Sequence, residues 1–372
     1  MIHLGCRAFV IEEEILWFSN VKFNGLYKVD LLNGKIEWVH KFKNISYGNT
    51  WTHSKMYKEG EELIFIPLFD DKITIYNLKT AREEIIKLPL KNNKTNFTGC
   101  SYKSGNKIWL VSNTNVEDIF CYDIKLKNIE KEENLSKVLS KYLGDEEFFA
   151  RGNVCGDRII IFESEKNKVC EINMATKEVQ SFEIKIEGAN IIRVGFDGEN
   201  YWCVQFDSHD VYEWNKENDT YVKYISEDKE FLDYLKKVPY SEFLFMNGEV
   251  VLNSHSSKGV NIVDKEKRTI KKLFDLPKFV KAVESGKNNP LYSGIVHYAN
   301  KIYLIPERAS HLLIYELGTQ NIREIELMVC REDLQYSDEI LRELTKASTL
   351  IESSEIYTLE NYIKSLRTMR KK

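Results

Sequence analysis

Three arginines stand at matched places in this 372-residue chain. Counting eight residues back from each of seven short apolar runs lands on Arg7, Arg151 and Arg193, on Glu242, and on Cys100 and Gly294. In one further unit the count gives Lys55, and two additional turn residues in KEGEE move the equivalent place to His53. A guanidinium is a planar fork of donors suited to carboxylate, phosphate or sulfate, so several forks around one axis point to an anionic ligand. His53, Glu242, His255 and Tyr292 are groups able to move a proton on a ligand held in that way. The residues just after the same apolar runs (Asn20, Leu68, Asn113, Ser164, Phe206, His255 and Glu307, with Arg308 next) add amides, an imidazole and a Glu-Arg pair to a second, hydrogen-bonding rim.

Other chemistries find no support. The seven histidines show neither H-E-x-x-H nor a short ligand spacing, and no zinc or other metal site is expected. G-x-S-x-G, the P-loop and G-x-G-x-x-G are absent, so neither a serine nucleophile nor a nucleotide is implied. Seven cysteines are scattered singly with no C-x-x-C pair, the pattern of reduced, buried thiols.

The elements that must carry these residues follow from the apolar runs themselves. ILWF at 15, LIFI at 63, IWLV at 108, IIIF at 159, YWCV at 201, VVLN at 250 and IYLI at 302 lie 42 to 52 residues apart. After each run a second strand ends in an aromatic residue or Ile and then Asp, Asn or Glu, as in LYKVD, ITIYN and IFCYD. A third, more polar strand follows across a turn, and a fourth element precedes each run across a tight turn. Four strands in one order, repeated seven times, predict an all-β, seven-bladed β-propeller over 1–330 with each blade built from consecutive sequence. Ring closure is expected from side-chain packing, without strand exchange.

Over about residues 5–330 the chain resembles the broad kelch-like and quinoprotein-like group of propellers, LYKVDLLNGKIEW being close to the quinoprotein repeat. Only the first unit carries both the Gly and the Trp of that repeat, and no unit has the kelch Gly-Gly doublet. The resemblance therefore implies architecture and brings neither a quinone site nor any other cofactor.

Helical spacing marks three connections, 133–149, 226–242 and 276–294, predicted as helices crowding one mouth of the channel. A C-terminal extension, 331–372, reads as two helices packed on the propeller. A net charge of -4 with mixed signs argues against nucleic acid as a partner. The start lacks a leader pattern and no run is long enough to cross a bilayer, which makes a cytoplasmic protein without membrane contact the expectation.

Two functions fit this reading. One is a binding module recognising an anionic small molecule, glycan, peptide or protein partner at the insertion-covered mouth. The other is a cofactor-independent enzyme of the lyase or epimerase type, acting on an anionic sugar or peptide in the same funnel. Because Cys121, Cys170 and Cys203 fall in apolar strand runs, thiol titration of the native protein is expected to find few reactive groups, and a disulfide would refute the cytoplasmic assignment.

Overall fold

The structure, a computed structural model, describes residues 2–20, 25–43, 53–68, 70–90, 97, 101–112, 117–143, 150–227, 238–255, 259–277 and 291–329. They form an all-β, propeller-like fold built from antiparallel four-stranded meanders. Five meanders (6–41, 53–87, 101–131, 150–183 and 292–326) are separate sheets with strands in sequence order. Two others, 191–226 and 240–275, share one eight-stranded sheet, which corrects the expectation of seven separate blades. Their outer strands, Thr220–Ser226 and Thr269–Asp275, join in parallel through Ile225 opposite Thr269 and Ser226 opposite Ile270. An outer strand is an open edge with unmet donors and acceptors, and here each edge satisfies part of the other.

Side-chain type explains the strand order. The second strand of each meander is almost wholly apolar and buried (Leu63 to Ile66, Ile159 to Phe162, Ile302 to Ile305), since it is covered on both faces. The fourth strand is less buried, as in Arg82–Lys87, where exposed and half-buried residues mix. The acid or amide that ends the third strand closes the outer hairpin. Asp30 Oδ1 accepts from the backbone N–H of Leu32 at 2.8 Å, and Asp123, Asn173 and Asn215 make the same bond to Lys125, Ala175 and Glu217. Four residues on, each hairpin needs a left-handed residue. Gly34 supplies it once, with φ +76°, and Ala81, Lys127, Lys177, Asp219, Arg268 and Gln320 take it elsewhere with φ between +51° and +64°. Every meander thus has the same turn, although only the first advertises it with glycine.

One predicted insertion helix is present at Glu133–Leu143. Leu135 and Leu139 bury it against Val111, Ile119, Ile159 and Ile161, between the third and fourth meanders. The other two expected helices and the C-terminal extension lie largely outside the described residues. Where described, their ends are strand, since Tyr240–Met246 and Tyr292–Tyr298 are the inner strands of the sixth and seventh meanders.

Closure differs from expectation too. Ile2–His3 pairs antiparallel with Met328–Val329, and Leu4 N–H donates to Leu327 O at 2.9 Å, so a short backbone clasp joins the two ends. Beneath it Leu4, Cys6, Leu16 and Phe18 pack against Tyr303, Ile305, Ile325 and Leu327. Lys301 Nζ also reaches Glu14 Oε1 at 3.2 Å across the seam. Leu327 belongs to both the clasp and the core and is fully buried. Leu327→Ala is therefore expected to cost about 2–5 kcal/mol in urea denaturation, and a loss near zero would show that the closure does not support the ring.

Candidate functional site

Inner strands of neighbouring meanders face one another. Ser293 Oγ donates to Cys6 O at 2.9 Å, and Tyr57 OH to Ser101 O at 2.8 Å. A Cβ placed on Gly294 would come within 2.5 Å of the Phe9 ring, and one on Gly195 within 2.6 Å of Phe243. Glycine at these two points lets the strands converge on the axis.

Five inner strands share a register shift near their start: between Cys6 and Phe9, His53 and Lys55, Ile191 and Arg193, Tyr240 and Glu242, and Tyr292 and Gly294. The shift is a β-bulge, in which one extra residue reverses the face presented by the residues that follow. His53 opposes Pro67 while Lys55 opposes the next residue, Ile66, so these two side chains point to opposite faces despite being two apart. Residues before the bulge enter the core between meanders: Cys6, His53, Ile191, Tyr240 and Tyr292 are all buried. The bulge residue itself is often serine. Ser54 donates to Pro67 O at 3.1 Å, Ser241 to Asn253 O at 3.4 Å and Ser293 to Ile305 O at 3.3 Å. Residues after the bulge, Lys55, Arg193 and Glu242, present the opposite face of their strands.

This register turns two expected site residues away from the lumen and into the seams between meanders. His53 lies with its ring 4.9 Å from both Phe42 and Phe65, and burial pushes its pKa down to about 3, so it is a neutral core histidine. Lys55 holds the place assigned to it. Tyr292 is likewise fully buried, its phenol pKa driven upward by desolvation. Arg7 occupies the bulge of the first inner strand, and its Nη1 pairs with Glu307 Oε2 at 2.9 Å. Glu307, expected on an open rim, is buried beneath that bond. Arg151 opposes Phe162 in a strand without a bulge, and its side chain is outside the described residues. His255 is half-buried after the second strand of the sixth meander, where its N–H donates to Pro239 O at 2.9 Å. Within the rim, Asn20 and Leu68 are buried and Phe206 is exposed, while Asn113 is outside the described residues.

Glu242 ties the lumen together. It belongs to the sixth meander, yet the charges that act on it are Lys55 of the second and Arg7 of the first, and its Oε2 accepts from Ile295 N–H of the seventh at 3.3 Å. Its pKa is pushed up to about 7, because dense protein around it disfavours the charged form more than the Ile295 bond and the two cations favour it. The same side chain is exposed to solvent, and that contact with water weakens the upward push. Lys55 Nζ meets the Ser101 carbonyl at 3.4 Å and lies 5.3 Å from the Tyr57 ring centre. Neither Lys55 nor Arg193 forms an ion pair among the described residues, and Arg193 Nε has no hydrogen-bond partner there. Asn253, directly opposite Glu242 in the register, was missed by the sequence reading. Its one signal is a polar residue ending the apolar run VVLN. No cluster of three or more metal-ligating side chains occurs among the described residues, and none of their helices is long and apolar enough to cross a membrane.

No family model and no curated protein matches the chain. Solved structures share its fold. Virginiamycin B lyase from Staphylococcus aureus aligns over 88% of this chain and 98% of its own, at 13% identity and a TM-score of 0.59. A streptogramin B lyase aligns over 83% and 93%, at 14% identity and 0.58. The extracellular domain of a hybrid two component system from B. thetaiotaomicron aligns over 88% of this chain but 46% of its own, at 13% and 0.53. At such identities the likeness is one of fold, and this fold supports both a lyase and extracellular domains.

The placement of His53 has a measurable consequence. An unfolded histidine takes up its proton near pH 6.5, whereas folded His53 does so only near 3. Between those values the unfolded chain binds more protons, so stability falls as the pH is lowered through 6.5. In His53→Phe, stability against pH between 6 and 4 is expected to be flatter than in the wild type by about 1 kcal/mol per unit. Equal slopes would place His53 in water.

Proposed function

We propose that this protein is a propeller binding module whose lumen recognises an anionic group. The observation that carries the reading is the pair Lys55 and Arg193, cations set after the inner-strand bulges and without an acidic partner among the described residues. Cations brought together around one axis would repel each other, and a bound anion would relieve that repulsion. Arg7 is held to Glu307 and shapes the rim more than it offers charge. Arg151 shares the register place of Lys55, and we assign it to the same ring. We read the repeated meanders as seven blades, two of them zipped at their outer edges. The ligand is a small molecule, glycan or peptide bearing the anion. We place the chain in the cytoplasm, because Cys6, Cys121, Cys155, Cys170 and Cys203 are all free thiols.

A second reading rests on Glu242. A carboxyl that titrates near neutral pH and faces a cationic lumen suits proton transfer on an anion held by Lys55 and Arg193, the arrangement that lyase or epimerase chemistry requires. Turnover of anionic sugars or peptides that disappears in Glu242→Gln would move the protein from binding module to enzyme.

The binding reading is tested with sulfate, which keeps its charge throughout the working range. Sulfate should raise the melting temperature by binding the folded state. Lys55→Ala and Arg193→Ala should each weaken sulfate binding about tenfold or more. Glu242 is negative above pH 7 and neutral below, so sulfate affinity should rise as the pH falls through 7 and lose that dependence in Glu242→Gln. No stabilisation by sulfate, or unchanged affinity in both cation variants, would make the ring purely structural.

A further inference from the structure

The wall beside Glu242 contains a second set of polar groups. Asn253 lies directly across from Glu242 in the antiparallel register, so the two side chains share one face of the sixth meander. That face is the one turned to the seventh meander, since Glu242 accepts from Ile295 N–H. Asn253 is fully buried, and neither its Nδ2 nor its Oδ1 has a hydrogen-bond partner among the described residues. Tyr292 enters the same seam from the seventh meander, packed in one cluster with Val251, two residues before Asn253 on the same face. It too is fully buried, and its hydroxyl has no partner among the described residues.

A buried amide without partners costs stability, Asn253 finds none among the described residues, and an apolar residue fits the equivalent position of the seventh meander, Ile305. We infer that Asn253 and Tyr292 form, with Glu242, a hydroxyl-recognising extension of the anion site, so that its ligand is a hydroxyl-bearing anion of the sugar-acid or sugar-phosphate class. The chemistry matches group by group. A carboxamide offers one acceptor and two donors, a phenol one of each, and a carboxyl accepts or donates, which together suit adjacent hydroxyls that must both give and receive hydrogen bonds. Lys55 and Arg193 then take the charged end. The inference rests on the anion reading above. It also requires the seam to part when ligand enters, because both groups are sealed from solvent in the unliganded fold.

The test compares melting temperatures of the wild type, Asn253→Leu and Tyr292→Phe with sulfate, methyl glucoside, glucuronate and glucose 6-phosphate. Glucuronate and glucose 6-phosphate separate the carboxylate from the phosphate source. At least one of them should stabilise the wild type more than sulfate does. That excess should vanish in both variants while the response to sulfate persists, and unliganded Asn253→Leu should melt above the wild type. Sulfate matching both sugar anions in the wild type overturns the inference and leaves the anion reading standing. A lower melting temperature for unliganded Asn253→Leu also overturns it, because the amide would then be satisfied within the fold, for instance through a buried water. No shift with any anion overturns both readings.

Discussion

One extra residue near the start of an inner strand decides which side chains meet the lumen and which enter the core. A strand alternates its faces with a period of two, so inserting one residue exchanges the sets on either side of it. In this protein the exchange happens in five inner strands, always close to the end at which the strand arrives from the preceding meander. It sends a large buried group such as His53, Tyr240 or Tyr292 backward into the seam and frees the following position for Lys55, Arg193 or Glu242. Serine suits the bulge because its hydroxyl satisfies a carbonyl of the neighbouring strand where the ladder is disturbed. Arg7 replaces serine in the first meander, and its longer side chain spans to Glu307 of the seventh.

That substitution sits at the closure of the ring, where several independent interactions converge. The clasp between Ile2–His3 and Met328–Val329 satisfies backbone groups, the cluster around Leu4, Phe18 and Leu327 removes apolar surface from water, and the Arg7 to Glu307 pair spans the same seam from the lumen side. A meander contributes to the ring only if both its faces are covered, so the junction of first and last units must be as well packed as any other. Glu307 is buried and charged near Cys6, whose thiol is pushed well up by desolvation and by that carboxylate. The thiol at the seam therefore stays neutral.

Lumen electrostatics follow from the same convergence. Strands from different meanders bring Arg7, Lys55 and Glu242 within reach of each other although they are 48 to 235 residues apart in the chain. Dense surroundings raise the carboxyl of Glu242, and the two cations offset only part of that shift. The result is a site whose net charge changes near neutral pH, where Arg7 is paired with Glu307 and Lys55 forms no ion pair among the described residues. Beside it, the buried amide of Asn253 has no hydrogen-bond partner among the described residues.

Much of the architecture was legible in the chain. Apolar second strands recur because they are covered on both faces, and the acid or amide that closes each outer hairpin recurs because it caps the same turn, with a left-handed residue four places on even where that residue is lysine or arginine. These are local demands, and local demands leave periodic marks. The counting that found Arg193 and Glu242 also landed on Lys55, and moving to His53 failed because a bulge has no fixed residue signature and reverses the face without changing the spacing. The parallel pairing of two outer strands, the clasp at the ends, the Arg7 to Glu307 bond and the seam holding Asn253 and Tyr292 depend on which distant segments become neighbours. Only the closed ring decides that, because each of these contacts joins residues whose sequence separation carries no period.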